Sequence, residues 1–506
     1  MRLAARAAVA AALCAMVPAV HAAEWRFTPT LSAQETYTDN VFLAPDTPAP
    51  ATATTATTAR QKTSDFITQV TPGVALVGRG GRATVSGSYN ANKTFFRENS
   101  ERDSLHHSFT AAGNAEIWEK QAFIDARANM TRQTVNPQAA TSDSPAGQQV
   151  NRVDVLNTDI TPYFLHHFGT WVETRSEVGY RTFSTYRPST DTGNAGAGAT
   201  ANTNISDTQT YHSSFTANTG RRFTQTKVSA TNVRDKVMRE GGAPSNKTDR
   251  TNVNVTQIIS PEWSLIGSAG KEKIDDGTLR QNRDEYTWNA GAAWQPSRRT
   301  DARATYGHTL VGESYDFSAS HRFSERTALN ISYHETIQIE QNQQATNLSF
   351  IGTDANGNLI DTRTGQPFVQ NSDSFGLQNN AFIQKRFAAT LSGTRGRTSF
   401  GLTAARETRE TEATGVTTTS LEGSANLSRR LSSRSSVNAG ITYRQQDFGA
   451  VSDRIDTQLN FNTGWSYTIG PHLSSNLSYK RTRRESTIET NNMTENAITL
   501  SLIQTF

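Results

Sequence analysis

Tyr286-Thr-Trp-Asn-Ala-Gly-Ala-Ala-Trp294 is the stretch that decides the fold. Tyr286, Trp288, Ala290, Ala292 and Trp294 occupy every second position, and Thr287, Asn289 and Gly291 fill most of the alternate ones. A period of two puts the first set on one face of an extended strand and the second on the other. The same alternation returns along the chain. Val437, Ala439, Ile441 and Tyr443 alternate with Asn438, Gly440, Thr442 and Arg444; Leu459, Phe461, Trp465 and Tyr467 with Asn460, Asn462, Gly464 and Ser466. Leu477 and Tyr479 stand against Asn476, Ser478 and Lys480, and Leu329, Ile331 and Tyr333 against Asn330, Ser332 and His334. Strands apolar on one face only cannot be central strands of an α/β fold, which are apolar on both.

Connections alternate as regularly as the strands. Tight turns are read at Gly78–Gly81, Trp118–Gln121, His167–Thr170, Thr219–Arg222, Ser260-Pro261, Pro296–Arg299, Phe323–Arg326, Gly393–Gly396, Arg430–Ser433 and Ile469–His472. Longer connections lie between them: Ala44–Gln61, Val135–Gln149, Pro188–Ser206, Arg239–Lys247 and Gln341–Asn371. Short turns on one rim and long loops on the other are the pattern of an outer-membrane barrel. Ten short turns join twenty strands, and Trp25–Phe42 and Asn491–Phe506 add one at each end. The expectation is an all-β, transmembrane antiparallel β-barrel of about 22 strands, within a range of 18–24, with short periplasmic turns and long extracellular loops. Closure follows from the solvent, because backbone N–H and C=O groups in hydrocarbon must all be paired and an open sheet leaves two unpaired edges.

Composition agrees. Only 35% of the 506 residues are hydrophobic, and no run beyond the N-terminus is apolar enough for a transmembrane helix. Met1–Ala22 reads as a cleaved signal peptide: Arg2 and Arg6 precede the apolar Ala7–Val17, then Pro18 and the small-residue site Val20-His21-Ala22. Residues 23–506 then form one barrel domain. The single cysteine, Cys14, leaves with the leader, so no disulfide framework is possible. Lys and Arg number 50 against 46 Asp and Glu, with no basic arm. A near-neutral chain without a cationic block is a poor nucleic-acid binder.

Aromatic residues gather near strand ends, as headgroup belts require: Trp25, Phe27, Tyr37 and Phe42; Phe95, Phe96 and Trp118; Tyr163, Phe164, Phe168, Trp171 and Tyr180; Trp263, Trp288, Trp294 and Trp465. Charged residues within strands follow the polar face. Asp125, Arg127, Arg303, Glu407, Arg409, Arg444 and Lys480 are the lumen candidates, since on the lipid face each would cost about 2–4 kcal/mol at mid-depth. Adjacent His106-His107 and His166-His167 point to opposite faces and make no metal site alone. Asp275-Asp276-Gly277 lacks the spaced acids of a calcium loop and reads as a plain turn. No catalytic, metal-ligating or cofactor-binding residue is identified, and no enzymatic activity is expected.

The chain ends on an alternating strand, with Ile498, Leu500 and Leu502 on one face together with the terminal Phe506. Outer-membrane barrels commonly close on such a phenylalanine, and these four residues are read as the signal for the barrel assembly machinery. The opening of the mature chain, Trp25-Arg-Phe-Thr-Pro-Thr-Leu-Ser-Ala-Gln-Glu-Thr-Tyr-Thr-Asp-Asn-Val41, followed by Ser64-Asp-Phe-Ile-Thr-Gln-Val-Thr-Pro-Gly73, resembles the outer-membrane proteins associated with the PEP-CTERM/exosortase sorting system. The match is carried by about the first ninety residues. Ala44–Ala59 looks like an insertion relative to that family. The resemblance implies a large barrel in the outer membrane of a Gram-negative bacterium, linked to exopolysaccharide gene clusters. It carries over no functional residue.

Three functions compete. The first is an outer-membrane channel or export conduit for exopolysaccharide or related surface material, narrowed by Gln341–Asn371. The second is an anchor whose extracellular loops, Pro188–Ser206 among them, hold polysaccharide or a partner protein. The third is an outer-membrane enzyme, disfavoured by the absence of a recognisable catalytic motif. The partners expected are outer-membrane lipid and lipopolysaccharide, the assembly machinery, and exopolysaccharide or its export and sorting components.

Overall fold

The computed structural model describes residues 24–47, 61–147, 151–186, 205–242, 245–277, 279, 283–353, 359–361, 375–449 and 452–506. The expected signal peptide, most of Ala44–Gln61 and nearly all of Pro188–Ser206 lie outside the described residues.

Twenty-two strands close on themselves. In chain order they begin with β1 (Glu24–Thr38), β2 (Asp65–Arg79), β3 (Ala83–Phe96), β4 (Ser104–Trp118), β5 (Ala122–Thr134), β6 (Arg152–Phe168), β7 (Val172–Tyr186) and β8 (Thr208–Thr219). There follow β9 (Thr226–Arg239), β10 (Asn246–Ile258), β11 (Trp263–Asp276), β12 (Arg283–Ser297), β13 (Thr300–Thr309), β14 (Gly312–Ser324) and β15 (Thr327–Ile339). Helix α1 (Glu340–Ser349) and the two-stranded pair β16 (Ile351–Thr353) and β17 (Leu359–Asp361) interrupt the meander without joining the barrel. The wall resumes with β18 (Ala381–Arg395), β19 (Thr398–Thr411), β20 (Thr417–Arg430), β21 (Ser435–Asp447), β22 (Ile455–Thr468), β23 (Leu473–Ser486) and β24 (Met493–Thr505). Each wall strand pairs antiparallel with the next, β15 pairs β18 directly, and β1 pairs β24 from Thr30↔Thr505 to Thr38↔Ala497 to close the ring.

All ten expected short turns are present on one rim, the longest being 220–225. On the opposite rim most connections have five residues or more, and one is far shorter. Thr309 pairs Gly312 across the two-residue turn Leu310-Val311, where Gly312 takes φ 90°. Strands of 10–17 residues at about 3.4 Å per residue, tilted roughly 35–45°, rise about 25–45 Å, enough to cross a hydrocarbon core.

The alternation holds residue by residue. Tyr286, Trp288 and Trp294 are exposed on the outside, as are Leu459, Phe461, Trp465 and Leu477. At the short-turn rim Trp263 sits across from Trp294 with ring centroids 6.0 Å apart, and Trp171 meets Phe223 at the same separation. Two residues assigned to the belts lie elsewhere. Tyr163 shares a face with Phe123 and Glu177, turned away from the exposed Phe164, and stacks on Phe123 at 5.1 Å inside the barrel. Phe96 is 3% exposed, in a cluster with Val41, Ile67 and Ala146. Proximity to a turn located these aromatics along the strand, and only parity fixes the face.

A closed single-layer sheet has no second layer to pack against. Buried apolar side chains therefore collect where loops fold back on the inner wall: Val135, Val153, Val155, Phe183 and Leu377 form one group, and Ala112, Leu348 and Ile351 another.

Candidate functional site

The site is the lumen, and two connections of the long-loop rim occupy it. Residues 135–147, between β5 and β6, run inward across to β22–β24. The carbonyl of Gln138 accepts hydrogen bonds from Arg454 and Arg484, each at 2.7 Å. Ser142 and Ser144 both donate to Glu495, the latter at 2.5 Å, and Thr38 donates to the same carboxylate at 2.9 Å. Lys480 Nζ donates to the carbonyl of Asp143 at 3.0 Å, and Arg102 Nη2 to that of Ala146 at 3.4 Å. Glu495 is 2% exposed, so its carboxyl group is sheltered, and among the described residues the hydroxyls of Thr38, Ser142 and Ser144 are its hydrogen-bond donors. The sequence marks Val135–Gln149 as one of the long loops of the extracellular rim and does not single it out as entering the lumen. The loop turns inward because its serines and carbonyls find a buried carboxylate and three cations on the inner wall.

The second connection leaves β15 through α1 and reaches the other side of the ring. Gln344 exchanges amide hydrogen bonds with Gln133 on β5, at 2.6 and 3.0 Å, and accepts another from Asn157 on β6 at 3.1 Å. Leu348 and Ile351 cover Ala112 on β4, and Arg127 Nε donates to the carbonyl of Ile351 at 3.1 Å. On the way back Leu377 N donates to the carbonyl of Thr134 at 3.2 Å, while Phe375 and Phe382 lie against the Arg409 guanidinium at 4.2 and 4.3 Å. The described part of Gln341–Asn371 thus lies across the lumen, where a constriction was expected.

The seven charged residues singled out in the strands lie on the polar face of the wall. Asp125 pairs Arg127 at 3.1 Å. Glu407 accepts from Arg409 at 2.7 Å, Arg386 at 2.5 Å and Gln384 at 2.6 Å. Arg444 pairs Glu422 at 2.7 Å. Lys480 holds the first loop. Arg303 is exposed on the face shared with Ala293 and Ser318, and takes no ion-pair partner among the described residues. These seven are not one site. Asp125 with Arg127 and Glu407 with Arg409 form two separate pairs, and the others are spread around the ring.

Sequence reading missed a larger network on β6–β9. His212 contacts Asp235 at 2.7 Å and Glu177 at 3.2 Å through its two ring nitrogens, Arg175 pairs Glu177 at 2.8 Å, and Arg181 pairs Asp159 at 3.1 Å. It also missed Glu495, Asp456 and Arg484. Parity against neighbours such as Tyr211, Val178 and Leu500 would have put all of them on the inner face. Asp276, read as part of a plain turn, instead ends β11 fully buried and takes both Nη atoms of Arg239, at 3.1 and 3.0 Å, plus Asn246 at 2.8 Å. A buried carboxylate needs such a fork of donors. No group of three or more His, Cys, Asp or Glu among the described residues is arranged to hold a metal ion.

Below the first loop, toward the short-turn rim, lies a cavity of about 290 Å³ lined by Gln34, Asn438, Asn462, Asn476, Ser478, Thr499 and Ser501, with Lys480 its only formal charge. Glycine shapes this wall. A Cβ on Gly440 would lie 2.4 Å from Asn462 Oδ1 and 2.8 Å from Asn426 Oδ1, so its absence lets the two amides lie over the strand.

A family model described as "Putative beta-barrel porin 2" matches residues 392–506. No curated protein matches the chain. Among solved structures, the open form of the ferric-catecholate import receptor Fiu from E. coli K12 is 9% identical, with 94% of this chain and 81% of the receptor covered at a TM-score of 0.50. The apoprotein form of the FrpB iron transporter from Neisseria meningitidis is 10% identical, with 95% and 81% covered at 0.50. The siderophore receptor PirA from Acinetobacter baumannii is 9% identical, with 94% and 80% covered at 0.47. At such identities the likeness is one of fold. The closed 22-strand sheet and the porin model over the last strands agree with that, giving the chain a β-barrel fold of the outer-membrane type.

Proposed function

We propose that the barrel is a gated outer-membrane conduit for a neutral, hydroxyl-rich polymer, an exopolysaccharide or related surface material, and that it has no catalytic role. The observation that carries this reading is the inner wall below the first loop, a surface of amides and hydroxyls with a single formal charge. Such groups exchange hydrogen bonds with sugar hydroxyls about as readily as with water, so a chain can slide without being trapped by any one contact. A charged lining would bind and retain ions instead. Ion pairs stand elsewhere on the wall, and those of Asp456 with Arg454 and Arg484 and of Glu407 with Arg409 lie beside the two crossing loops. The resemblance of the opening segment to barrels that accompany exopolysaccharide clusters supports the same substrate class.

The experiment is planar-bilayer conductance of the purified full-length protein, with and without neutral oligosaccharides on the periplasmic side. The intact protein is expected to open in small steps that such oligosaccharides reduce. Replacing residues 343–376 by a short Gly-Ser linker raises the step size several-fold. Absence of openings in both proteins overturns the conduit. Openings insensitive to oligosaccharide overturn the substrate.

A further inference from the structure

The outer surface of the wall, unlike the lumen, ought to be apolar until it reaches the headgroups. On β9, β10 and β11 the apolar wall gives way to a dense group of charges. Tyr211, exposed on β8, faces Lys236; Lys236 faces Lys247, and Lys247 faces Asp275. One row lower, Arg234 faces Asp249, which faces Lys273, and in the third row Thr251 faces Lys271. All share parity with the exposed Val253, Val255 and Leu265, so all point outward. Five cations, Arg234, Lys236, Lys247, Lys271 and Lys273, thus stand on three neighbouring strands, roughly 10 Å across at about 4.8 Å per strand.

Height identifies what they meet. Lys273 is ten residues along β11 from Trp263 of the short-turn aromatic belt. At about 3.4 Å per residue and a tilt of roughly 40° that is about 25 Å, the height of the apolar band of an outer-membrane barrel. The cluster therefore stands at the outer-leaflet headgroups, with the aliphatic Val253, Val255 and Leu265 and the aromatic Phe215 below it at acyl-chain depth.

The cluster is also incompletely neutralised from within. Arg234 pairs Asp249 at 3.0 Å, and Lys271 pairs Asp284 at 2.9 Å and lies 5.4 Å from the Tyr286 ring. Lys236, Lys247 and Lys273 are exposed and have no ion-pair partner among the described residues. Like charges directly opposite on neighbouring strands repel. Lys236 and Lys247 are such a registered pair, and an anion between them removes the repulsion.

We propose that the outer wall of β9–β11 is a binding site for the phosphorylated sugar headgroup of an outer-leaflet glycolipid. The phosphate lies between Lys236 and Lys247, with Lys273 beside it, and the acyl chains lie along Val253, Val255 and Leu265. The inference rests on placement in the outer membrane and is independent of what passes through the lumen. A free phosphate would use the ammonium groups alone, whereas a lipid uses the apolar strip as well.

The test uses the full-length protein folded in detergent and titrated with lipid A, read by native mass spectrometry. Wild type is expected to retain lipid A and to release it on exchange for enzymatically dephosphorylated lipid A no faster than on dilution alone. The triple variant Lys236→Gln, Lys247→Gln, Lys273→Gln is expected to bind on the order of a hundredfold more weakly. Lys236→Arg with Lys247→Arg keeps binding, since guanidinium also holds phosphate. Removal of equal charge elsewhere on the outer wall, by Lys385→Gln, Arg481→Gln and Arg483→Gln, leaves it unchanged. Equal affinity of wild type for phosphorylated and dephosphorylated lipid A overturns the proposal without recourse to any variant. So does loss of binding in the distal control, or displacement of lipid A by millimolar inorganic phosphate.

Discussion

Phe506 packs little but stands where the barrel closes. Its side chain is 66% exposed, and its N–H donates to the carbonyl of Pro29 at 3.0 Å, extending the β1–β24 seam by one bond. Phe506→Ala removes at most about 1.5–3 kcal/mol of burial from a folded sheet, yet it alters the edge that is free before closure. We expect outer-membrane abundance of Phe506→Ala to fall sharply while the inserted fraction keeps near-normal heat resistance on unheated gels; normal abundance would remove Phe506 from the assembly signal. Asp46 tethers the first long loop to the start of β24. Its carboxylate takes the Thr494 N–H at 3.0 Å, the Thr494 hydroxyl at 2.9 Å and Lys62 at 2.6 Å. Partial burial opposes its ionisation, but the Lys62 and Thr494 hydrogen bonds and the Lys62 charge outweigh it and hold the carboxyl below its ordinary 3.8. A depressed carboxyl stabilises the tether fully above its ordinary value and loses that contribution as pH falls through the lower, folded value. The protection of the Thr494 amide against hydrogen exchange, relative to its intrinsic rate at each pH, should therefore fall on acidification below about pH 4, and Asp46→Asn should flatten the dependence. The polar-face charges, by contrast, were legible from parity alone, because Arg444 lies beside Tyr443 and Lys480 beside Tyr479 and each must take the other side. Their partners were not legible. Nothing near Glu495 in sequence announces that Ser142 and Ser144, some 350 positions earlier, will donate to it.

Elements divide along the same line. A strand announces itself within ten residues, since its period depends only on the solvents of its two faces, and all ten short turns were found because a hairpin is a local object. Loops that cross the lumen have no period, and their path is decided by groups on distant strands. Residues 135–147 stand in the sequence as one long rim loop among several for that reason, although Gln138, Thr141, Ser142 and Ser144 carry the donors and carbonyls that Arg454, Gln458, Arg484 and Glu495 engage. The constriction at α1 was anticipated from length alone, without its anchor on Gln133 and Asn157. If the first loop is held by Glu495, Glu495→Ala should leave two serine hydroxyls unanchored, cost about 1–3 kcal/mol locally and widen conductance while the barrel stays closed. Glu495→Gln, which keeps an acceptor, should fall between. Unchanged conductance in Glu495→Ala would mean that the remaining anchors, Arg454 and Arg484 on Gln138, Lys480 on Asp143 and Arg102 on Ala146, suffice to hold the loop.

At the scale of the molecule, closure is what the lipid demands, and the seam between first and last strands is where it is completed. β1 pairs β2 over its full length, Glu24 to Thr38, but β24 only from Thr30 to Thr38, with one further bond from Phe506 to Pro29, so the five residues Glu24–Thr28 have a ladder partner on one side alone. That half-seam makes closure and register testable together. Ser32 and Ile503 are cross-strand partners on the same face, and directly opposed residues in an antiparallel pair have Cα atoms about 4.5–5.5 Å apart, within reach of a disulfide. The only native cysteine, Cys14, lies in the expected leader. Ser32→Cys with Ile503→Cys should therefore cross-link on mild oxidation, and the bond, tying the two ends of the sheet together, should stabilise the barrel by about 2–4 kcal/mol, read as a higher temperature for loss of the compact gel form. Ser32→Cys with Leu502→Cys places the two thiols on opposite faces and should remain reduced. Cross-linking of the second pair and not the first would mean a register slipped by one residue, which would exchange the inner and outer faces of β24 relative to β1 and place Leu500 and Leu502 in the lumen.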